Sequence, residues 1–144
     1  MRISTKGRYS LEAVLYMSLL PRDEYSSTRA IAENTDISEG YLEQLFIPLR
    51  KAGIVKGIRG PQGGYLPAKS LKKITVGEIL RAVEGPLEPV ACAVKNNFCA
   101  KENKCLSRTI WKELHKEISR CVDSITMADL VKAYTIMDNP EYQI

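Results

Sequence analysis

At 144 residues the chain is long enough for one compact core and an appended helix, but short for two full domains. Its hydrophobic fraction of 44% and charged fraction of 26% are ordinary for a water-soluble protein, and no apolar run approaches the roughly 20 residues of a membrane span, which excludes a membrane-embedded protein. The net charge of +4 is uneven: residues 1–73 hold 12 Lys and Arg against 7 Asp and Glu, residues 74–144 hold 9 against 10, so any phosphate-binding surface belongs to the first half. Basic residues precede an apolar stretch at the N-terminus, but Glu12 interrupts it and no small-residue cleavage site follows. It reads as a first helix and not as an export signal, which puts the four cysteines in a reducing cytoplasm, where metal binding or thiol chemistry is the expected use.

In chain order, Leu11, Val14, Leu15, Met17 and Leu19 recur at helical spacing between Tyr9 and Leu20, and Pro21 closes that helix. Ser26-Ser27-Thr28 offers N-caps to a short helix, Arg29 to Asn34, and Thr35-Asp36-Ile37 makes a tight connection. Ser38 caps a third helix whose Leu42, Leu45, Phe46 and Leu49 fall on one face, while Glu39, Gly40, Tyr41, Glu43 and Gln44 face outward and Arg50 and Lys51 close it before Gly53. The outward side chains are of the kinds that reach base edges and phosphates. Pro48 predicts a kink or an early end, because an interior proline removes a backbone bond and crowds the carbonyl of Gln44.

Residues 54–58 alternate like a strand, 59–64 form a glycine-rich turn and Tyr65-Leu66 starts the return strand. Two short helices, a tight turn and a hairpin after the second helix predict a winged helix-turn-helix, mainly α with a small β-hairpin, whose second helix enters the major groove of duplex DNA. Val76 to Val83 is a further helix stopped by Gly85-Pro86, residues 86–105 have no hydrophobic period, and Leu106, Ile110, Leu114, Ile118 and Val122 repeat every four residues along a long amphipathic helix. Its apolar stripe, with Cys121 on it, wants a partner, which is a second copy of the chain about a two-fold axis or the first helix of its own. Thr126 and Asp129 form a capping box for a last helix, Met127 to Met137. The expected organisation is a DNA-binding domain over 1–84, a cysteine-bearing sensor loop over 85–105, a dimerisation helix and C-terminal helix over 106–137, and a polar tail over 138–144.

Several stretches together resemble the IscR-like family of winged-helix transcription regulators. They are Met1 to Tyr9, Tyr41-Leu42-Glu43-Gln44-Leu45, Leu49 to Gly53, Val55 through Arg59-Gly60-Pro61-Gln62-Gly63-Gly64-Tyr65-Leu66, and Val76-Gly77-Glu78-Ile79. Relatives of that family include nitric-oxide sensors and CymR-type repressors of cysteine metabolism, and the resemblance spans nearly the whole chain. It implies that Ser38, Tyr41, Glu43 and Gln44 face the major groove, and that the wing, with Arg59 and Gly60 at its tip, enters the minor groove. The chemistry agrees: Gln44 suits a bidentate contact to adenine, Glu43 accepts from cytosine N4, and an arginine is drawn into a narrow, strongly negative A-tract groove. A solvated helix face and an ordinary turn are the plain alternatives.

Cys92, Cys99 and Cys105 supply three soft thiolates within fourteen residues of loop. The family holds an iron–sulfur cluster with three cysteines of closely similar spacing, so the resemblance implies a cluster here, 2Fe–2S with 4Fe–4S as the alternative. A zinc site with a borrowed fourth ligand, and three plain thiols, stay open beside it. The family completes its site with a histidine three residues after the last cysteine, where this chain has Arg108. A continuous helix carries His115 about 15 Å and Cys121 about 24 Å from Cys105, so His115 reads as a surface residue and Cys121 as a buried core thiol. Some relatives use a carboxylate on the partner subunit's first helix, at a position that is Arg8 here. The remaining fourth ligands are Glu102, Ser107, the partner subunit's Glu12, a small thiol or water.

The expected function is therefore a homodimeric DNA-binding transcription regulator sensing iron–sulfur or redox status in the cytoplasm. The alternatives are a cluster-free, CymR-like repressor controlled by a partner protein and a zinc- or thiol-based sensor. A cysteine-based redox enzyme is disfavoured, because there is no Cys-x-x-Cys motif, no triad around His115 and no glycine-rich nucleotide loop after a strand.

Overall fold

In the computed structural model, which describes residues 1–96 and 99–138, the order of elements is α1 (Thr5–Leu19), α2 (Thr28–Thr35), α3 (Glu39–Lys51), β1 (Val55–Ile58), β2 (Gly64–Pro67), α4 (Val76–Glu84), α5 (Leu106–Ser124) and α6 (Met127–Met137). Among the described residues no helix is long and apolar enough to cross a membrane. Apart from Asp138, the expected polar tail lies outside the described residues.

Among the described residues, four of the six α-helices begin on a hydroxyl that accepts a first-turn backbone N–H: Ser27 from Ala30, Ser38 from Tyr41, Thr75 from Glu78 and Thr126 from Asp129. Each such cap satisfies one of the orphan donors at a helix start and contributes about 1 kcal/mol. The helix-turn-helix corner is turned by Asp36, which adopts φ 56° and ψ 24° in the left-handed region that aspartate tolerates better than most residues. Ile31, Ile37, Leu42, Phe46 and Leu49 are buried around that corner, together with Ala13, Val14 and Met17 of α1 and Ile79 and Leu80 of α4.

α1 starts four residues earlier than its apolar period predicts. The Glu84 carboxylate, at the end of α4, accepts hydrogen bonds from the Ser4 and Gly7 backbone N–H groups and from the Ser4 hydroxyl. A distant side chain thus satisfies the start of the helix. The early end expected at Pro48 is also absent: α3 runs through it to Lys51. Pro48 stands in the last turns, flanked by the buried Leu45, Phe46 and Leu49, and its carbonyl still accepts the Ala52 N–H at 3.0 Å. The lost hydrogen bond is outweighed by burial on both sides of it.

β1 and β2 pair antiparallel, with Lys56 opposite Leu66 and Gly57 opposite Tyr65. Ser26, just before α2, exchanges two backbone hydrogen bonds with Tyr65, at 2.9 and 2.8 Å, so the wing is tied to the base of the helix-turn-helix. Gly64 permits this approach, since a Cβ there would collide with the Ser26 carbonyl.

Two N-caps meet at the far side of the body. Thr75 and Thr126 form an isolated antiparallel bridge, with Val76 N–H donating to the Ile125 carbonyl and Met127 N–H to the Ile74 carbonyl. Arg81 grips Asp123 through both terminal nitrogens at 2.5 and 3.0 Å, above Gly77, whose missing side chain leaves room for that carboxylate. The C-terminal end of α5 is thereby fixed to α4. Ile118 and Val122 pack on the core from there, whereas Leu106, Ile110 and Leu114 are 86%, 61% and 43% exposed. Cys121 is exposed as well, which corrects its reading as a core thiol: the side of α5 turned toward the body is taken by Arg108, His115, Ile118 and Val122, and Cys121 falls outside that arc.

Candidate nucleic-acid interface and cysteine loop

α3 has a buried face and a free one. Leu42, Leu45, Phe46 and Leu49 are at most 2% exposed, while Glu39, Gly40, Glu43 and Gln44 face solvent on the opposite side. Phe46 stacks on Tyr65 of β2 with ring centroids 4.2 Å apart, which couples the helix to the wing. The Ser38 hydroxyl accepts the Tyr41 N–H at 3.2 Å and so serves the helix start. Tyr41 is half-buried, its ring edge-on against Tyr9 at 5.7 Å, so much of this side chain is spent on joining α3 to α1.

Glu43 is exposed, and the Thr28 hydroxyl on the first turn of α2 donates to its carboxylate at 3.1 Å. Thr28 thus orients an outward carboxylate from the neighbouring helix, a contact that single-helix periodicity has no means of revealing. Gln44 borders a shallow cleft shared with Lys6, Tyr41 and Pro48. Arg50 and Lys51 are exposed in the last turn of α3, where they also complement the helix dipole. Arg59 and Gly60 are exposed at the tip of the wing, and Gly60 adopts φ 115°, a conformation that glycine accommodates best. A polar helix face flanked by cations and an exposed wing arginine has the form required to read a groove while holding the phosphates beside it.

The cysteine loop follows α4. Two short 3₁₀ turns, Ala91–Ala93 and Glu102–Lys104, interrupt what the sequence leaves as irregular chain. All four cysteines are free; Cys92 and Cys105 are half-buried and Cys99 is exposed. Cys105 is the N-cap of α5, and its sulfur lies 3.2 Å from the Ser107 hydroxyl. That hydroxyl, and after it the Arg108 backbone N–H, hold the Cys105 thiol below the ordinary cysteine pKa, favouring thiolate.

The side chains are of the right kind for a soft metal or a cluster, yet they are not gathered into one. Among the described residues no group of three or more His, Cys, Asp and Glu side chains is placed to hold a metal ion. Of the fourth-ligand candidates, Glu102 lies 3.9 Å from Arg108 and Ser107 is engaged with Cys105. Arg8 contacts Thr5 within its own helix. His115 is half-buried and not a free surface residue: its Nδ1 lies 3.0 Å from the Leu87 carbonyl, which accepts only, so that nitrogen carries the proton. Arg108, where the sequence resemblance puts a ligand, is buried and hydrogen-bonded to the loop.

A helix-turn-helix with its wing tied to the base of the first helix, continued by a long helix with an unburied apolar end, defines a winged-helix transcription regulator. Residues 3–133 match the Rrf2 family, described as an iron-dependent transcriptional regulator, and the chain belongs to that family. It is 39% identical over 143 residues to the HTH-type transcriptional regulator IscR of Yersinia pseudotuberculosis serotype O:1b (strain IP 31758), covering 99% of this chain and 87% of that protein. Among solved structures it is similar to CymR, the global cysteine regulator of B. subtilis, with a TM-score of 0.76, 36% identity and coverage of 92% of this chain and 98% of that one. It is also similar to T. potens IscR, with a TM-score of 0.75, 35% identity and coverage of 100% and 93%. The protein is a DNA-binding transcription regulator of the IscR type and not an enzyme.

Proposed function

We propose that this regulator works in the cytoplasm as a homodimer, reads bases through Glu43 and Gln44 and a minor groove through Arg59, and is switched by an iron–sulfur cluster on Cys92, Cys99 and Cys105. The observation that carries the reading is the position of the thiol loop. It joins α4, which is part of the DNA-binding body, to α5, whose Leu106, Ile110 and Leu114 are left uncovered. A two-fold partner on that face would hold two recognition helices at fixed separation, and a change in the loop would alter that separation.

Bound there, a cluster would supply redox chemistry and sensitivity to oxidants, with three thiolates from this chain. The protein's own part is to present those thiols on one loop and to make Cys105 easier to ionise than an ordinary thiol. A cluster-free regulator would leave three thiols in fourteen residues without a use, which favours the sensing reading over partner control.

The test is anaerobic purification with iron and sulfide assayed together, alongside binding to a duplex selected from random sequence. Cys92→Ala, Cys99→Ala and Cys105→Ala are each expected to abolish the visible chromophore and to change operator affinity by roughly 5- to 150-fold, the usual range of allosteric coupling. Cys121→Ala is expected to leave both intact. A colourless wild-type protein holding one zinc per chain would replace the iron–sulfur reading with the zinc one, and bleaching by Cys121→Ala but not by Cys99→Ala would move the site off the loop.

A further inference from the structure

A loop that carries thiols between two helices has to be tied at both its ends, and here one side chain reaches both. Arg108, in the first turn of α5, is the buried residue of that helix, at 9% exposure. Its Nε donates to the Cys92 carbonyl at 3.0 Å, and its Nη2 reaches the Lys95 carbonyl and the Asn96 side-chain oxygen, each at 3.2 Å. The Glu102 carboxylate stands 3.9 Å from the same Nη2, with both side chains largely covered. One planar guanidinium thus spans the entry of the loop, residues 92–96, and its exit at 102.

Helix preference gives no reason for a cation here. The N-terminal turn of a helix disfavours positive charge, and burying a guanidinium costs several kcal/mol unless its donors are satisfied. The compensation comes from the loop. Two of the acceptors are main-chain carbonyls, one of them belonging to the first cysteine, so the constraint falls on the backbone that carries the ligand. With the loop held this way the thiols are not gathered into a metal-binding group. Gathering them on one centre requires a rearrangement, and the Cys92 backbone is the part of the loop that Arg108 ties.

We propose that Arg108 is a latch: it holds the metal-free loop against α5 with the thiols apart, so that loading the trio requires release of its hydrogen bonds to Cys92 and Lys95. This rests on the trio being the metal site, as proposed above. The arginine then sets how readily the site fills, because apparent affinity is the intrinsic affinity scaled by the fraction of loops that are open. A lysine is a poor substitute, having the charge without the planar fork that reaches two carbonyls and an amide oxygen together.

The experiment uses the full-length, metal-free protein under reducing, anaerobic conditions. Hydrogen exchange is read in the 91–96 segment, where Ala93, Val94 and Lys95 N–H groups are hydrogen-bonded within the loop. Cobalt(II) is then titrated and followed by its thiolate charge-transfer absorption. Arg108→Ala is expected to speed exchange in 91–96 while leaving α1 and α4 protected, and to tighten cobalt binding by about tenfold or more, as when one loop in ten or fewer is open in the wild type. Arg108→Lys should follow Arg108→Ala. Asn96→Ala removes one acceptor without stranding a charge, should move both readouts the same way by less, and decides the matter if Arg108→Ala fails to fold. Unchanged exchange in Arg108→Ala, or in Asn96→Ala where that variant decides, overturns the latch. So does faster exchange with weaker cobalt binding, which would make Arg108 a scaffold for the filled site. Absence of any thiolate band in all forms, with exchange altered as expected, sinks the metal reading instead, and the two failures are told apart by that pattern.

Discussion

The body up to Glu84 and the stretch from the cysteine loop through α5 are held by different balances of the same forces. In the body, Ala13, Val14, Ile31, Leu42, Leu49, Ile54, Ile74 and Ile79 are fully covered, so the recognition helix and wing rest on apolar burial at close packing. Beyond Glu84 apolar burial thins to Leu87, Ala93 and Met127, with Ile118 and Val122 half-buried against the core; α5 itself fully buries only Arg108, whose hydrogen bonds, with His115 on Leu87, tie down the loop. Apolar packing resists partial change, whereas hydrogen bonds exchange one by one with water or another partner, at about 1–3 kcal/mol each where one partner is charged. The contrast suits the proposed switch: the part proposed to read DNA keeps its shape while the loop proposed to sense is free to change its own.

The largest effect belongs to the body. Phe46→Ala removes a side chain that is 1% exposed and stacked on Tyr65, so it opens a cavity and unhooks the wing from α3 together. We expect a loss of about 3–5 kcal/mol, or roughly 10–15 °C in Tm, with DNA binding lost at lower temperature than in the wild type. Calorimetry with a matched binding series checks this. A loss below about 1 kcal/mol would mean that the core is plastic and that the contrast between the regions is drawn in the wrong place.

A smaller effect on the fold, but a decisive one on assembly, is expected on α5. Ile110→Asp with Leu114→Asp places carboxylates on a face that the protomer itself leaves open, so the chain should fold with little change in helix content. Sedimentation should report monomers, and operator binding should fall because two half-sites are no longer held at fixed spacing. An unchanged dimer would place the interface elsewhere, with the exposed Tyr134, Ile136 and Met137 of α6 next to be tested.

The same contrast explains what was legible in the sequence. Binary pattern and caps are local, so the helix-turn-helix, the wing, the Thr126 box and the buried face of α3 follow from residues a few positions apart. The early start of α1 depends on Glu84, eighty residues from Ser4, and the orientation of Glu43 depends on Thr28, fifteen residues away. Neither leaves a trace in a periodicity. The apolar stripe of α5 is visible as a stripe, but the period does not say which part meets its own body. Ile118 and Val122 do so, Leu106 and Ile110 do not, and Cys121 falls on the open side. Arg108 is legible as a residue unable to ligate a metal, whereas its role as the tie of the loop needs the fold.

The smallest expected effect concerns the thiol at the start of α5. Cys105 is lowered in pKa first by the Ser107 hydroxyl and next by the Arg108 backbone N–H. A thiol whose folded pKa lies below its unfolded value stabilises the fold above the ordinary thiol pKa, about 8.5, and that contribution is lost as pH falls through the folded value. The measurable consequence in the metal-free protein is the rate of iodoacetamide alkylation at Cys105, read by mass spectrometry. Its pH midpoint should lie below that of a cysteine in an unstructured peptide, since the thiolate is the nucleophile. Ser107→Ala should raise the midpoint and slow the reaction at neutral pH, with the two rates converging once pH exceeds both midpoints. The backbone N–H of Arg108 survives that substitution, so a residual depression should remain. A midpoint that Ser107→Ala leaves untouched would assign the whole depression to the end of α5, and would make Cys105 a thiol tuned by the helix it caps and not by its neighbour.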